Sequence, residues 1–381
     1  MDIKRNLRLL RGENSLAGIQ ILMSQFNIKR PLIIGSETTV GALMRKKPSL
    51  LSCPVFHGYH PNPELYDAEK AADVFRQQEC DSLISIGGGS AIDTAKAAKA
   101  VLGAGSALAA AHKLPEHLPD IRHIAIPGTA GSGAEATPFA VCYLDGCKIS
   151  LSHPELQPDA VILDASLLET LPEYHRKSCA LDALSQGIES FWAKGATSDS
   201  KVHAYLAILG VLDNLRSYLD GDPHAAQEML EASYQSGKAI RISRTTAAHA
   251  MSYQMTMTLG IAHGHACMLT LPELWEMMLD DESMKDTLAE LSALMRLGSP
   301  LMGPRLLRGI LYALQMDIHP ALDDRAIGEM SSRVNPDRLH NHPVSLTDAD
   351  IRMIYRKAFA VRPENEKQAC LDIWQFYGRD T

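Results

Sequence analysis

Short apolar runs alternate with stretches of helical spacing over the first 165 residues. Pro31–Gly35, Ser82–Ile86 and Arg122–Ile126 are compact and rich in isoleucine, which predicts strands buried on both faces. Val161–Leu163 reads as one more. Leu16–Phe26, Tyr66–Gln78 and Ala91–Val101 carry apolar residues at helical intervals, the first with Asn14 or Ser15 as its cap. Strands separated by helices predict an α/β class with a parallel, doubly wound sheet that binds ligands at the carboxyl ends of its strands. From about Pro172 helical spacing takes over. Helices are expected over His175–Trp192, Ser200–Leu219, Ala225–Ile240, His249–Leu259, Glu282–Arg296, Pro304–Gln315 and Asp348–Ala360. The change of pattern divides the chain into an α/β domain over 1–165 and an all-helical domain over 166–381.

Composition narrows the partners. The chain has 381 residues, 37 Lys plus Arg against 45 Asp plus Glu, and a formal net charge of −8. A negative balance supplies no basic field for nucleic acid. The longest apolar stretch, Ala100–Ala111, is too short and too rich in Gly and Ala to span a bilayer, and the start MDIKRNLRLLRG has no apolar core of a signal peptide. Seven scattered cysteines without a C-x-x-C pair argue against a disulfide framework or zinc knuckle and fit a reducing cytoplasm, most of them as small buried apolar residues.

Two glycine-rich turns carry the first candidate chemistry. The strand ending at Ile86 runs into Gly87, Gly88, Gly89 and Ser90 and then a helix, an arrangement in which bare backbone and free helix-end amides can cradle phosphate. Asp93 falls in the first helical turn, where a carboxylate suits the helix dipole. The next strand leads to Gly128–Gly133, whose Thr129 and Ser132 hydroxyls could face a pyrophosphate or ribose. A tight connection is the alternative reading of either turn alone. No G-x-G-x-x-G fingerprint is present.

A second group lies in the helical half. Asp182 and Gln186 share one helix face, and His249 and His263 lie fourteen residues apart at the two ends of another helix. An Asp with two His suits Fe(II) or Zn(II). Fifteen histidines also make such pairs common by chance.

GGGSAID (87–93), IPGTAGSGAEAT (126–137), DALSQGIE (182–189) and HAMSY…GIAHGHA (249–266) follow one another along the chain. Together they resemble the motifs of the iron-containing, group III alcohol dehydrogenases over about Pro31–Pro272. The resemblance implies a dehydroquinate synthase-like architecture: a dinucleotide-binding domain, a helical metal-binding domain, and a cleft that holds NAD or NADP and a divalent metal. By motif position the ligands are Asp182, Gln186, His249 and His263, with glutamine where the family pattern has histidine. Tyr253 stands where many relatives have another histidine near the nicotinamide, so Tyr253 or His265 is expected to relay the proton. Ser36 occupies the place of an acidic residue that repels a 2′-phosphate, which leaves NADP tolerated while Glu37 keeps NAD in play.

Arg241 and Arg244 share a helical face just before His249, Thr245 and Thr246 can cap the following helix, and Lys194 follows Phe191–Trp192. Guanidinium groups, hydroxyls and free amides form a plausible cradle for phosphonate, phosphate or carboxylate, unless they are ordinary surface charges. DALSQ…ESFW and SRTTAAHAMSY…GIAHGHA resemble the phosphonoacetaldehyde reductase branch of the family. That implies reduction of phosphonoacetaldehyde to 2-hydroxyethylphosphonate by a cytoplasmic homodimer. A general short-chain alcohol or aldehyde dehydrogenase and a catalytically silent nucleotide-binding protein are the alternatives.

Overall fold

The computed structural model describes residues 7–377. Residues 1–6, which form half of the segment read as lacking a leader, lie outside them. The described residues fall into two compact units. Those up to Leu171 together with Asp220–Gly237 make the first, and Pro172–Leu219 with those from Lys238 onward make the second.

In the first unit, the strands β1 (Arg8–Arg11), β2 (Pro31–Gly35), β3 (Val55–Phe56), β4 (Ser82–Gly87), β5 (Arg122–Pro127) and β8 (Ala160–Leu163) form one parallel sheet in the order β1-β8-β5-β4-β2-β3. Between β5 and β8 the chain makes an antiparallel hairpin, β6 (Phe139–Leu144) and β7 (Cys147–Ser152). Helices α1 (Ile19–Gln25), α2 (Glu37–Lys46), α3 (Leu65–Gln77), α4 (Gly89–Ala104) and α5 (Ala107–His112) belong to the same unit.

The isoleucine-rich runs are strands because both faces are covered. Ile33, Ile84, Ile86, Ile124 and Ile126 pack in one buried cluster, and Leu32, Ile34 and Leu83 pack in another. The two sets alternate along the strands, as the period of two requires. Each such side chain contributes roughly 1.5–3 kcal/mol by leaving water. From β2 the chain first adds β3 on one side and then β4 on the other, so the winding direction switches between β2 and β4. Register places Gly35 beside Ile86 and Gly87 beside Pro127. The loops that leave β2, β4 and β5 therefore share one edge of the sheet.

The second unit contains α6 (Glu173–Trp192), α7 (Ser198–Leu219), the last turns of α8 (Pro223–Ser243), α9 (Ala247–Leu259) and α10 (His263–Met278). Helices α11 (Lys285–Leu294), α12 (Met302–Ala313), α13 (Asp324–Ser332), α14 (Pro336–Leu339), α15 (Asp348–Ala358) and α16 (Glu364–Phe376) complete it, and among the described residues it has no strand. No helix among the described residues is long and apolar enough to cross a membrane.

The sequence reading did not expect β1, β3, the β6–β7 hairpin, α2, α5, α13, α14 or α16, and two further differences bear on the site. The chain does not divide simply at residue 165, because most of α8 clusters with the α/β unit. A Cβ on Gly237 would lie 2.2 Å from the carbonyl oxygen of Gly133, and Gln227 donates to Leu163 O at 3.2 Å. Helical periodicity says nothing about which unit a helix joins. The second detail is α10, absent from the expected helices. It is buried almost all round and contains Pro272, so it shows neither an amphipathic stripe nor an unbroken helical pattern.

Lys96 is fully buried on α4 and donates to Ala134 O at 2.5 Å, Thr137 Oγ1 at 2.9 Å and Phe139 O at 2.8 Å. It thus ties the loop after β5 to α4. Lys96→Met should leave those acceptors unpaired and destabilise the α/β unit by about 3 kcal/mol, read as a lower urea midpoint at unchanged slope.

Candidate active site

The shared edge of the sheet has the shape of a phosphate cradle. Gly88 caps α4 without a side-chain hydrogen bond, so no side chain covers the first-turn amides. A Cβ on Gly88 would lie 3.2 Å from Thr129 Cγ2, and one on Gly89 would lie 2.9 Å from Ser132 Oγ. Only glycine lets the two loops approach so closely. Gly87 adopts φ +142°, and its carbonyl accepts from Gly128 N at 2.8 Å, which pins the loops together. This bare backbone with uncapped amides fits a dinucleotide pyrophosphate. Ser36 lies at the same edge, where it caps α2 by accepting from Thr39 N at 3.2 Å.

Two of the expected cofactor residues are committed locally. Ser90 Oγ donates to Pro61 O, leaving only its backbone amide for a ligand. Asp93 accepts from Val141 N at 3.0 Å and lies 3.6 Å from Lys96 Nζ. Its carboxylate binds the hairpin to α4 and is not presented to a cofactor. Burial raises its pKa, against the opposing charge of Lys96.

The second unit gathers the metal-type side chains. Asp182 comes from the middle of α6, His249 from the first turn of α9, and His263 and Cys267 from the first two turns of α10. One donor atom from each lies within 4.8 Å of the others. Asp182 Oδ1 is 3.3 Å from His249 Nε2 and 4.0 Å from His263 Nε2. Gly264 makes this possible, since a Cβ there would lie 2.1 Å from Ser178 O and 2.6 Å from Asp182 Cβ. Helix α10 consequently starts directly against α6.

The outer nitrogens set the tautomers. Glu189, fully buried two turns beyond Asp182, receives the Nδ1 proton of His249. Ser252 Oγ donates to His249 O at 2.9 Å and so accepts the Nδ1 proton of His263 at 3.2 Å. Both Nε2 lone pairs then face the centre of the cluster. Asp182 Oδ1 and His249 Nε2 are buried and have no hydrogen-bond partner. Two buried acceptors left unpaired and aimed at one point fit a cation.

The titration directions agree with that fit. Burial alone would raise the Asp182 pKa, but the neighbouring imidazoles of His249 and His263 bring it below the usual carboxylate value. Burial would lower His249, yet Cys267 and Glu189 raise it well above the ordinary histidine value. Burial likewise opposes ionisation of Cys267, and His249 with His263 brings its pKa down to about 7. The pocket thus favours positive charge at its centre.

The other expected site residues are distributed around this cluster. Gln186 is buried and hydrogen-bonds Asp182; facing a carboxylate, its amide acts as donor. Tyr253 is half-buried one turn beyond His249, its ring edge-on to that of His263 at 6.4 Å between centroids. His265 does not suit a proton relay. Its Nε2 donates to Met316 O at 2.6 Å, and its Nδ1 accepts from Tyr174 Oη at 3.2 Å, so both nitrogens are used in a buried position. Burial also lowers its pKa.

Asn341 draws two of the three basic side chains' loops together. Its Oδ1 accepts from Gly195 N at 3.0 Å, and its Nδ2 donates to Ser243 O at 2.8 Å and Thr245 O at 3.0 Å. Lys194 and Arg244 are exposed on these neighbouring loops, Arg244 with φ +64°, and Arg241 is exposed one turn earlier on α8. Thr246 follows directly, donating its hydroxyl to Glu189 at 2.6 Å. The basic loop is thereby joined to the carboxylate that holds His249.

Sequence reasoning passed over Glu189, Ser252, Cys267 and Asn341. Glu189 follows Asp182 by seven residues on one helix face, and Cys267 follows His263 by four, so both spacings were visible. Nothing in the sequence marks Asn341.

The sequence pattern described as "Iron-containing alcohol dehydrogenase" matches residues 6–165, and that described as "Fe-containing alcohol dehydrogenase family, C-terminal" matches residues 178–359. The chain belongs to the iron-containing alcohol dehydrogenase family. It is 37% identical over 228 residues to the phosphonoacetaldehyde reductase of Streptomyces viridochromogenes, covering 56% of this chain and 58% of that one. The NAD-dependent methanol dehydrogenase of Bacillus methanolicus is 30% identical over 274 residues, 68% of this chain and 71% of that one. The chain thus spans little more than half the length of the first of these relatives. Sulfoacetaldehyde reductase from Bifidobacterium kashiwanohense, solved with NAD+, shares the fold with a TM-score of 0.87 at 24% identity, over 95% of this chain and 99% of that one.

Glu189→Gln keeps the shape of the side chain and removes the charge opposite His249 Nδ1. Zinc affinity, measured by competition with a chromophoric chelator, should fall about 10–100-fold while the helical circular dichroism stays intact.

Proposed function

We propose that this chain is an NAD(P)H-dependent, metal-assisted aldehyde reductase whose substrate carries an anionic group, with phosphonoacetaldehyde as the substrate and 2-hydroxyethylphosphonate as the product. The observation that carries the reading is the pair of buried acceptors without partners, Asp182 Oδ1 and His249 Nε2, converging with His263. The match to the Streptomyces phosphonoacetaldehyde reductase supports the choice of substrate.

Asp182, His249 and His263 would hold the metal, and the backbone of Gly87–Gly89 with Thr129 and Ser132 would hold the cofactor pyrophosphate. When bound, a divalent ion polarises a carbonyl and a reduced nicotinamide supplies hydride. The chain's own part is positional and electrostatic. Glu189 and Ser252 keep both imidazoles in the tautomer that offers Nε2. Gln186 steadies Asp182. In the reducing direction Tyr253 needs only to give a proton, and a phenol is a much stronger acid than the alcohol being formed. Arg244, Arg241 and Lys194 supply charge for the anionic end of the substrate. Binding energy there orients the aldehyde. Ser36 sets no negative charge against a 2′-phosphate, so NADPH is accepted beside NADH.

The test compares NADPH and NADH oxidation with phosphonoacetaldehyde and with a neutral aldehyde of similar size, before and after metal stripping. Metal-dependent turnover with strong preference for the phosphonate is expected. Arg244→Ala should raise KM for phosphonoacetaldehyde by about tenfold or more and leave the neutral aldehyde unchanged. Equal rates on both aldehydes would instead favour a general short-chain alcohol dehydrogenase. Cofactor binding without turnover of either aldehyde would contradict the reductase reading.

A further inference from the structure

We infer that Cys267 is the fourth protein ligand of the metal, giving an Asp–His–His–Cys site that prefers zinc to ferrous iron. The inference rests on the reading that Asp182, His249 and His263 hold a divalent ion, and it goes beyond it in naming the fourth donor and the ion.

Three observations point the same way. Cys267 is fully buried, and its Sγ lies 3.8 Å from His263 Nε2, one helical turn along α10. Zinc–ligand distances of about 2.0–2.3 Å in tetrahedral geometry put neighbouring donor atoms about 3.3–3.6 Å apart. The separations of 3.3, 3.8 and 4.0 Å among these groups are close to such edges, and all four donors lie within 4.8 Å of one another.

The second observation is Gln186. Its amide is engaged with the Asp182 carboxylate, as an orienting partner to a ligand. The position where the family pattern has a histidine thus supplies no imidazole, and the set is short of one strong donor. Cys267 reaches the same centre from α10 and makes up the number.

The third is donor chemistry. Thiolate is a soft ligand and shifts selection toward zinc, whereas a set limited to imidazole and carboxylate also suits iron. Of the four side chains, Asp182, His249 and Cys267 are buried and His263 is 41% exposed, so the cluster opens to solvent at His263.

Cobalt(II) reports the ligand directly. The full-length chain, stripped and reconstituted with Co(II), should show a near-ultraviolet sulfur-to-metal charge-transfer band beside the visible d–d bands. The band should persist in Gln186→Ala and vanish in Cys267→Ser with cobalt still bound. Under anaerobic competition between equal concentrations of Zn(II) and Fe(II), zinc should be retained by about tenfold or more. Should Cys267→Ser fail to fold, X-ray absorption at the zinc edge of the unaltered protein must show one sulfur in the shell. Cobalt bound without a sulfur signature, or iron retained over zinc, would overturn the inference and leave the metal-assisted reading intact. A chain that binds no cobalt would overturn both.

Discussion

The metal-binding unit depends on a carboxylate with no exposure to water. Glu189 accepts from Thr246 N at 3.2 Å, Thr246 Oγ1 at 2.6 Å and Ala248 N at 2.8 Å, and from His249 Nδ1. A buried charge of this kind is costly unless its lone pairs are all used. Here they cap the start of α9, where the helix dipole favours negative charge, and fix one imidazole in the tautomer a cation requires. Glu189 thereby couples the N-terminus of α9 to α6. The basic loop that ends α8 is bound into the same arrangement through Thr246. One side chain sets helix position, histidine orientation and the approach to the candidate substrate groups together.

The α/β unit solves a different problem, the close approach of backbone to an anion. Parallel register aligns the carboxyl ends of β2, β4 and β5, and glycines at 87, 88, 89 and 128 keep Cβ atoms out of the space between their loops. The sheet that carries that edge is packed on both faces by buried apolar clusters. Lys96 holds the loop after β5 from below through three buried acceptors.

Much of this was legible from the chain. The buried strands at 31–35, 82–86, 122–126 and 161–163 are isoleucine-rich and short, and burial on both faces leaves that signature. Motif order located Asp182, His249 and His263, which share the donor cluster. What escaped were features that depend on partners far along the chain. Helix α10 lacks an amphipathic stripe because neighbours surround it. Asp93 and His265 carry functional side-chain types but are consumed by Val141, Lys96, Met316 and Tyr174. Cys267 looked like one more small buried residue until Gly264 brought α10 against α6.

The central claim is that the cluster around Asp182 is built for a cation, with buried acceptors that remain uncompensated without one. Thermal unfolding of the stripped, full-length chain with and without added Zn(II) measures this most directly. At zinc about a hundredfold above its dissociation constant, binding adds about 2.7 kcal/mol and should raise Tm by roughly 3 °C. No such rise should occur in Asp182→Ala. An unchanged Tm in the unaltered protein, or an equal rise in Asp182→Ala, would contradict the account.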